Sequence, residues 1–402
     1  MGISTGYGRA ITSGSVFAFD TADVINSYKG EPTTNYQIDW SPWTVGGINT
    51  DVTGTSDQGP VKNAKTWKFE KIGGSNQWNG WESTYGGIWT GNSGDIWTTS
   101  YWYKTSAPAG LTAFGIGNFY LSDWSRPYNA SVLANSNGII ADGQWHYNYT
   151  TTQLNENYSN AIIVDGPSWG YSTQTGTLYI NGLQWEKKSH PTPFAGFTRS
   201  ANEGLLPVAG NSTIDLTNMS FDSNAQLTFD GTNDYASVTL PSSINVYCLE
   251  MVWYNNNAIP NNDTVIGGPS TYQTPIEFNG NGQGVHLGAW TGGFTNEAIH
   301  IWGSGGATAN QVYAGVGYHH VVFNWNGTTY DIWVDGVNTV TQYLSGYNYA
   351  QLITATSIKL GNDVSGYCFN GQIPVTKIYN RALSEGEVKQ NYNKYKTRFK
   401  LS

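Results

Sequence analysis

Apolar and polar positions alternate with a period of two along much of this chain, most plainly in residues 319–336. His319-His-Val-Val-Phe-Asn-Trp325 places Val321, Phe323 and Trp325 on one face of a strand. Thr328-Thr-Tyr-Asp-Ile-Trp-Val-Asp-Gly336 does the same with Tyr330, Ile332 and Val334. A two-residue period with one apolar side marks a half-buried strand. Asn326-Gly327 predicts a two-residue type I′ turn between them, because both residues tolerate positive φ. Phe369-Asn-Gly-Gln-Ile-Pro-Val-Thr-Lys-Ile-Tyr gives a further strand that runs into a helix start.

Upstream, Ser15-Val-Phe-Ala-Phe-Asp20 reads as one short strand, followed by a polar turn at 27–32. Strand patterns then fall at 67–70, 96–104, 142–150, 161–165 and 177–186, a spacing that suits a sandwich. Trp78-Asn-Gly-Trp81 reads as a polar, Gly-rich loop after the break at Gly73-Gly74. No helical period is evident between 32 and 198. Pro191-Thr-Pro193 ends this series, and 198–204 is a connector. A second series begins near Ile214, with strands expected at 226–230, 235–240, 247–254, 264–267, 285–290 and 357–361.

The one good helix closes the chain. Ser384 with Glu387 three residues on is a capping box, and Val388, Tyr392 and Tyr395 share a face. Lys394, Lys396 and Arg398 crowd its last turns, where the helix dipole favours cations, and read as a solvated end. The two halves echo each other in Ser-Tyr-Trp-Tyr103 and Met-Val-Trp-Tyr254, but the spacings differ. The expected fold is all-β: two antiparallel β-sandwich (jelly-roll) domains and a short C-terminal helix.

Composition sharpens this picture. The 402 residues include 17 Trp, 27 Tyr and 49 Gly, with only 12% charged. Aromatics favour strands and Gly favours turns. Trp and Tyr amid Asn, Ser and Thr also suit surfaces that stack on sugar rings, although filling a sandwich core is the commoner task of any one Trp. A net charge of -9 speaks against a nucleic-acid partner, since phosphate binding needs clustered Lys and Arg. The first residues carry no basic region followed by an apolar run, so no signal peptide is expected. No stretch approaches the ~20 apolar residues of a membrane helix. Two cysteines, Cys248 and Cys368, cannot form a disulfide framework. They are expected as free buried thiols, with a single bridge between neighbouring strands left open. Synthesis in a cytosol thus goes with the surface composition of an extracellular recognition protein.

The C-terminal region resembles the concanavalin A-like lectin/glucanase superfamily in its laminin-G-like branch. The resemblance rests on Leu227-Thr-Phe-Asp-Gly-Thr-Asn-Asp-Tyr235, His319-His-Val-Val-Phe-Asn-Trp-Asn-Gly, Ile332-Trp-Val-Asp-Gly336, Phe369-Asn-Gly-Gln-Ile and Ile378-Tyr-Asn-Arg-Ala-Leu-Ser-Glu. The ending from Glu387 resembles such domains in tailed-phage structural proteins. Residues 32–198 resemble carbohydrate-binding-module-like, galactose-binding-type jelly rolls, chiefly through Asn181-Gly-Leu-Gln-Trp-Glu-Lys-Lys-Ser-His-Pro-Thr-Pro-Phe194 and Asp142-Gly-Gln-Trp-His146. Val16-Phe-Ala-Phe-Asp-Thr-Ala-Asp-Val-Ile-Asn-Ser-Tyr-Lys-Gly30 is similar to the opening strand of laminin-G-like domains. The resemblance therefore implies domains at 1–31 and 199–402 belonging together, with 32–198 inserted. A free arm at 1–30 is the alternative.

Glucanases of the superfamily carry alternating acids on one strand, and no Glu-x-Asp-x-Glu run exists here. Asp335-Gly336 reads as a hairpin turn, and Glu250 stands alone in an apolar strand. Zinc spacing, a Gly-x-Ser-x-Gly elbow and a phosphate loop are all missing. His319 and His320 point to opposite faces, so one metal cannot easily take both. A binding protein, not an enzyme, is expected. The resemblance admits calcium at a loop rim, with Asp230, Asp234 and Asp363 as weak candidates, though these are also ordinary turn residues. Sugar contacts are expected at Trp78, Trp81, Trp89 and Trp124 in one domain and at Trp290 and Trp302 in the other, beside amide and hydroxyl side chains. Trp102, Trp253 and Trp333 lie within strands and are read as core.

These features and the phage resemblance imply a virion structural protein: a tail fibre, tail-associated or capsid-decorating adhesin. It would be made in the host cytoplasm and displayed on the virion surface. Its partners would be glycans or cell-surface polysaccharide, other virion proteins and copies of itself in a homo-oligomer. The alternatives are a secreted carbohydrate-active enzyme or its accessory module, and a virion decoration with no ligand.

Overall fold

The computed structural model describes residues 10–36, 41–45, 47–71, 78–82, 89–106, 118–121, 130–135, 139–165, 176–256, 273–288, 298–303, 306–310, 315–339, 342–343 and 351–401. The chain divides into two compact units, one of Met1–Glu31, Ala201–Asp222 and Gln226–Ser402, the other of Pro32–Ser200 with Ser223–Ala225.

In the smaller unit the strands Ala130–Asn135, Trp145–Leu154, Ile96–Thr105, Gly176–Glu186, Thr66–Lys71 and Gly47–Asp51 lie side by side in that order. A second sheet joins Ser41–Val45, Trp78–Glu82, Tyr158–Asp165, Trp89–Gly91 and Asn118–Leu121. Alternation sends Phe69, Trp97, Tyr101, Tyr103, Leu178, Ile180 and Trp185 inward from the first sheet as one buried cluster. Trp97 and Trp185 stack at 4.1 Å, with Tyr36 edge-on to both. The expected connector after 198 is in part a strand, since Thr198–Arg199 pairs with Thr33–Thr34.

The larger unit packs two antiparallel sheets around a core that includes Phe17, Phe229, Met251, Trp253, Phe278, Ile301, Phe323 and Ile358. The first sheet runs Ser220–Phe221, Leu227–Asp230, Asn370–Tyr379, Cys248–Asn255, Gly317–Trp325, Tyr330–Val334, Val337–Thr339. Ser15–Asp20 also pairs with Asn370–Tyr379, Phe17 opposite Ile378 and Phe19 opposite Thr376. The second runs Thr213–Asn218, Tyr235–Val246, Ile353–Leu360, Gln273–Phe278, Gln283–Gly288, Ala298–Gly303, Gly306–Asn310, Gln342–Tyr343. The strand expected at 264–267 lies outside the described residues. Cys248 is buried and Cys368 half-exposed, and neither is in a disulfide.

The hairpin keeps its expected faces but not its expected turn. Trp325 stands opposite Tyr330, so four residues, 326–329, make the connection. Asn326 Oδ1 accepts the amides of Thr328 and Thr329 at 3.0 Å, which stabilises the longer loop. The turn with positive φ at both central residues is Asp335-Gly336, at 49° and 77°, joining Val334 to Val337. Gly336 is required twice over, since a Cβ there would come within 2.6 Å of the Tyr392 ring on the helix.

That helix, Glu385–Phe399, starts at Ser384 with both halves of the capping box formed. Arg381 reinforces the start by pairing with Glu387, whose carboxyl is held at about 2 by that guanidinium first and by Ser384 next. Its last turn is not merely solvated: Arg398 donates to Asp20 at 2.7 Å, tying the helix to the first strand. The inner face of the helix buries Val388, Asn391 and Tyr395 against the outer side of the first sheet.

At the centre of this packing lies Glu250, fully buried. Its carboxylate accepts from His320 Nε2 (2.8 Å), the Tyr379 hydroxyl (2.8 Å) and Asn391 Nδ2 (3.1 Å), with Lys377 Nζ 3.5 Å away. Asn391 in turn accepts the Ile11 amide at 2.7 Å. Burial alone pushes the Glu250 carboxyl up, but Lys377, His320 and Tyr379 outweigh it and hold it at about 2. Its folded value thus lies below its ordinary 4.5, so its stabilisation is complete above pH 4.5 and is lost as pH falls toward 2. Glu250→Ala should cost roughly 3–5 kcal/mol by leaving buried partners unpaired. In urea melts, the transition of the larger unit should move to lower denaturant, and the wild-type protein should lose more stability than the variant below pH 4.5. Equal acid sensitivity in both proteins would remove Glu250 as the cause.

Candidate functional site

The parity that builds the core of the smaller unit also builds its outer face. In Ile96–Thr105, residues Trp97, Tyr101 and Tyr103 go inward, so Ser100, Trp102 and Lys104 go outward. Antiparallel register sets Tyr149 opposite Ser100, Tyr147 opposite Trp102 and Trp145 opposite Lys104. On the other side Gln184 faces Ser100 and Tyr179 faces Lys104. One face of the sheet therefore carries Trp102, Trp145, Tyr147, Tyr149 and Tyr179 in adjacent rows.

Trp102 and Tyr147 lie 5.4 Å apart with their rings tilted by 53°. Trp145 and Tyr179 meet edge to face at 6.3 Å. Lys104 Nζ sits 4.2 Å from the Tyr179 ring centre, 5.4 Å from that of Trp145 and 3.6 Å from Asp57 Oδ1. Tyr147 keeps 40% of its surface exposed. Burial nevertheless pushes its hydroxyl up to about 12, against a lowering hydrogen bond from Ser100. The phenol is therefore neutral at physiological pH.

A wall stands beside this face. Glu186, fully buried, accepts from Thr33 Oγ1 (2.7 Å), Gln184 Nε2 (2.8 Å), the Thr192 amide (2.8 Å) and Thr192 Oγ1 (2.7 Å). Gln184 Oε1 accepts the Ala195 amide at 2.6 Å, and Arg199 donates to the Pro193 carbonyl at 3.0 Å. These bonds hold residues 189–195 in place. Between them and Ser100, Trp102, Tyr147 and Tyr149 opens a cleft of about 670 Å³, within the range of small-ligand sites, roughly 300–1,000 Å³. Its described lining contains no carboxylate, ammonium or guanidinium.

None of the expected sugar-contact residues is among the described lining of this cleft. Trp124 and Trp290 lie outside the described residues. The expected loop around Trp78 and Trp81 is instead the strand Trp78–Glu82, because it completes a ladder with Ser41–Val45. Trp89 likewise starts the strand Trp89–Gly91. Trp302 lies in Ala298–Gly303, half-buried and opposite in parity to the core residues Ile299 and Ile301. It stands beside His300, which stacks on His286 at 5.3 Å. Burial lowers the pKa of His286. Trp253 and Trp333 are buried, whereas Trp102, expected in the core, lines the cleft. The sequence does carry a signal for it, since Trp102 is out of phase with Trp97, Tyr101 and Tyr103.

The three candidate calcium ligands are engaged otherwise. Asp230 accepts the amides of Thr232 and Asn233, and Asp234 accepts from Ser220 and the Asp230 amide. Asp363 accepts the amides of Ser365 and Tyr367 and the Thr274 hydroxyl. Among the described residues no three His, Cys, Asp or Glu side chains gather as a metal site. Among them, too, no helix is long and apolar enough to cross a membrane.

Residues 230–389 match the family model of laminin-G type described as the concanavalin A-like lectin/glucanases superfamily. Similar solved structures include the binding domain of botulinum neurotoxin serotype D, at 12% identity and TM-score 0.35 over 49% of this chain and 50% of that one. The receptor-binding domain of the mosaic serotype C/D toxin is similar at 12% identity and TM-score 0.34, again over 49% and 50%. The chain thus spans about half the length of these toxin domains. Domain 4 of an extracellular arabinanase from Geobacillus stearothermophilus, solved with arabinotriose, is similar at 16% identity and TM-score 0.29, over 46% of this chain and 84% of that one. No curated protein matches the sequence.

If the buried network of Glu186 shapes the cleft, Glu186→Ala should destabilise the smaller unit by roughly 2–5 kcal/mol. Hydrogen exchange at the Thr192 amide should accelerate, because that amide donates to Glu186. Unchanged protection at Thr192 would show that the wall is held by other interactions.

Proposed function

We propose that the chain is a glycan-binding protein, a reading supported by the match of residues 230–389 to the concanavalin A-like lectin/glucanases superfamily model. The observation that carries this reading is the cleft of the smaller unit, where the half-buried Trp102 and Tyr147 are flanked by hydroxyls of Ser100, Tyr149 and Ser189. Exposed aromatic rings attract the C–H face of a sugar, and the surrounding hydroxyls can meet its own. A wall preset by Glu186 reduces the entropy lost on binding. Trp302 on the larger unit supports a second, shallower binding surface.

Binding without catalysis fits this lining, because glycoside hydrolysis uses paired carboxylates and the described lining has none. Asp230, Asp234 and Asp363 already accept backbone amides, so the proposal includes no metal. In this proposal the chain acts on a virion surface as a fibre, tail-associated or capsid-decorating adhesin made in the host cytoplasm, a role supported by the resemblance of the C-terminal motifs to tailed-phage proteins. Weak sites repeated over many copies would then act through avidity.

A glycan array probed with the full chain should light up in the presence of a chelator, with no release of reducing ends from the bound glycans. A blank array alongside the protein in a mass-spectrometric inventory of purified particles would leave a decoration without ligand. Absence from particles would remove the virion role and leave the binding reading intact.

A further inference from the structure

Building on the glycan-binding reading, we infer that the cleft of the smaller unit takes a single, uncharged polysaccharide chain, not an acidic glycan or a flat crystalline surface. Charge comes first. Two cations of this sheet face have anionic partners: Lys104 lies 3.6 Å from Asp57, and Lys68 lies 2.5 Å from Glu70. Lys104 is further engaged by the Tyr179 and Trp145 rings. The described cleft lining offers hydroxyls, prolines and aromatic rings, with His190 its only described imidazole. Tyr147 adds no anion, as its hydroxyl is pushed far above neutral pH. A uronate or sialate would enter without a counter-charge and lose hydration there.

Shape comes second. A crystalline polysaccharide surface needs aromatic rings that share one plane. Trp102 and Tyr147 are tilted by 53°, and Trp145 and Tyr179 by 64°. Tilted pairs form a trough whose two sides touch different faces of one chain. The wall at 189–194 rises beside that trough and would block the approach of an extended plane.

Affinity electrophoresis of the full chain at pH 8 tests this. The probes are soluble galactomannan, mixed-linkage β-glucan, dextran and arabinan against polygalacturonate and hyaluronan, with pull-down on microcrystalline cellulose alongside. Retardation by at least one neutral polymer, insensitive to salt, is expected, with little by either acidic polymer. Trp102→Ala should weaken it by about tenfold or more, with the circular dichroism spectrum unchanged. Stronger retardation by an acidic polymer that fades with salt would overturn the inference while leaving glycan binding in place. Stronger pull-down on cellulose than retardation by soluble chains would overturn it in the same way. Neutral binding untouched by Trp102→Ala would overturn the assignment to this cleft. No binding to any probe, together with a blank array, would overturn the glycan-binding reading itself.

Discussion

One buried carboxylate holds the larger unit together. Glu250 sits in a strand whose neighbours Leu249 and Met251 are core residues, and Lys377, 3.5 Å away, supplies its counter-charge. Its partners come from the strand Gly317–Trp325, the strand Asn370–Tyr379 and the helix, and through Asn391 from Ile11 as well. A charge that is buried and fully bonded makes each of these elements depend on the others, since losing any one strands the rest. The helix covers the outer side of the first sheet, while on the second sheet Trp302 stands beside the stacked and buried His286 and His300.

The smaller unit solves the same problem with a different device. Glu186 and Gln184 point away from the core, yet both are fully buried because residues 189–195 cross over them. The polar network therefore does not stabilise a core; it positions a wall. A wall held by directional bonds keeps the cleft open, so that the tilted pair of Trp102 and Tyr147 is not closed over by collapse of the loop.

Much of the fold is legible in the sequence. Alternation at 319–336 assigns the inward residues of both strands, and the capping box at Ser384 locates the helix. Legibility fails where two local readings compete. Asn326-Gly327 fits a tight turn, but the pairing of Trp325 with Tyr330 and the Asn326 side-chain bonds favour a longer one. Trp78-Asn-Gly-Trp81 reads as a loop because Asn and Gly weaken strand propensity, and the ladder with Ser41–Val45 overrides it. Trp102 reads as core because its strand carries aromatics on both faces, which hides the period.

The sequence by itself determined the class of fold, the phase of most strands and the helix with its cap. Each of these depends on residues within about one strand or helix turn of each other, where steric and bonding preferences act locally. The tertiary structure alone decided that Ser15–Asp20 lies beside Asn370–Tyr379, that Glu250 meets His320 and Asn391, and that Trp102 meets Tyr147 beside the wall at 189–194. Those pairings join residues far apart along the chain, and their partners are chosen by which surfaces the packed sheets leave uncovered.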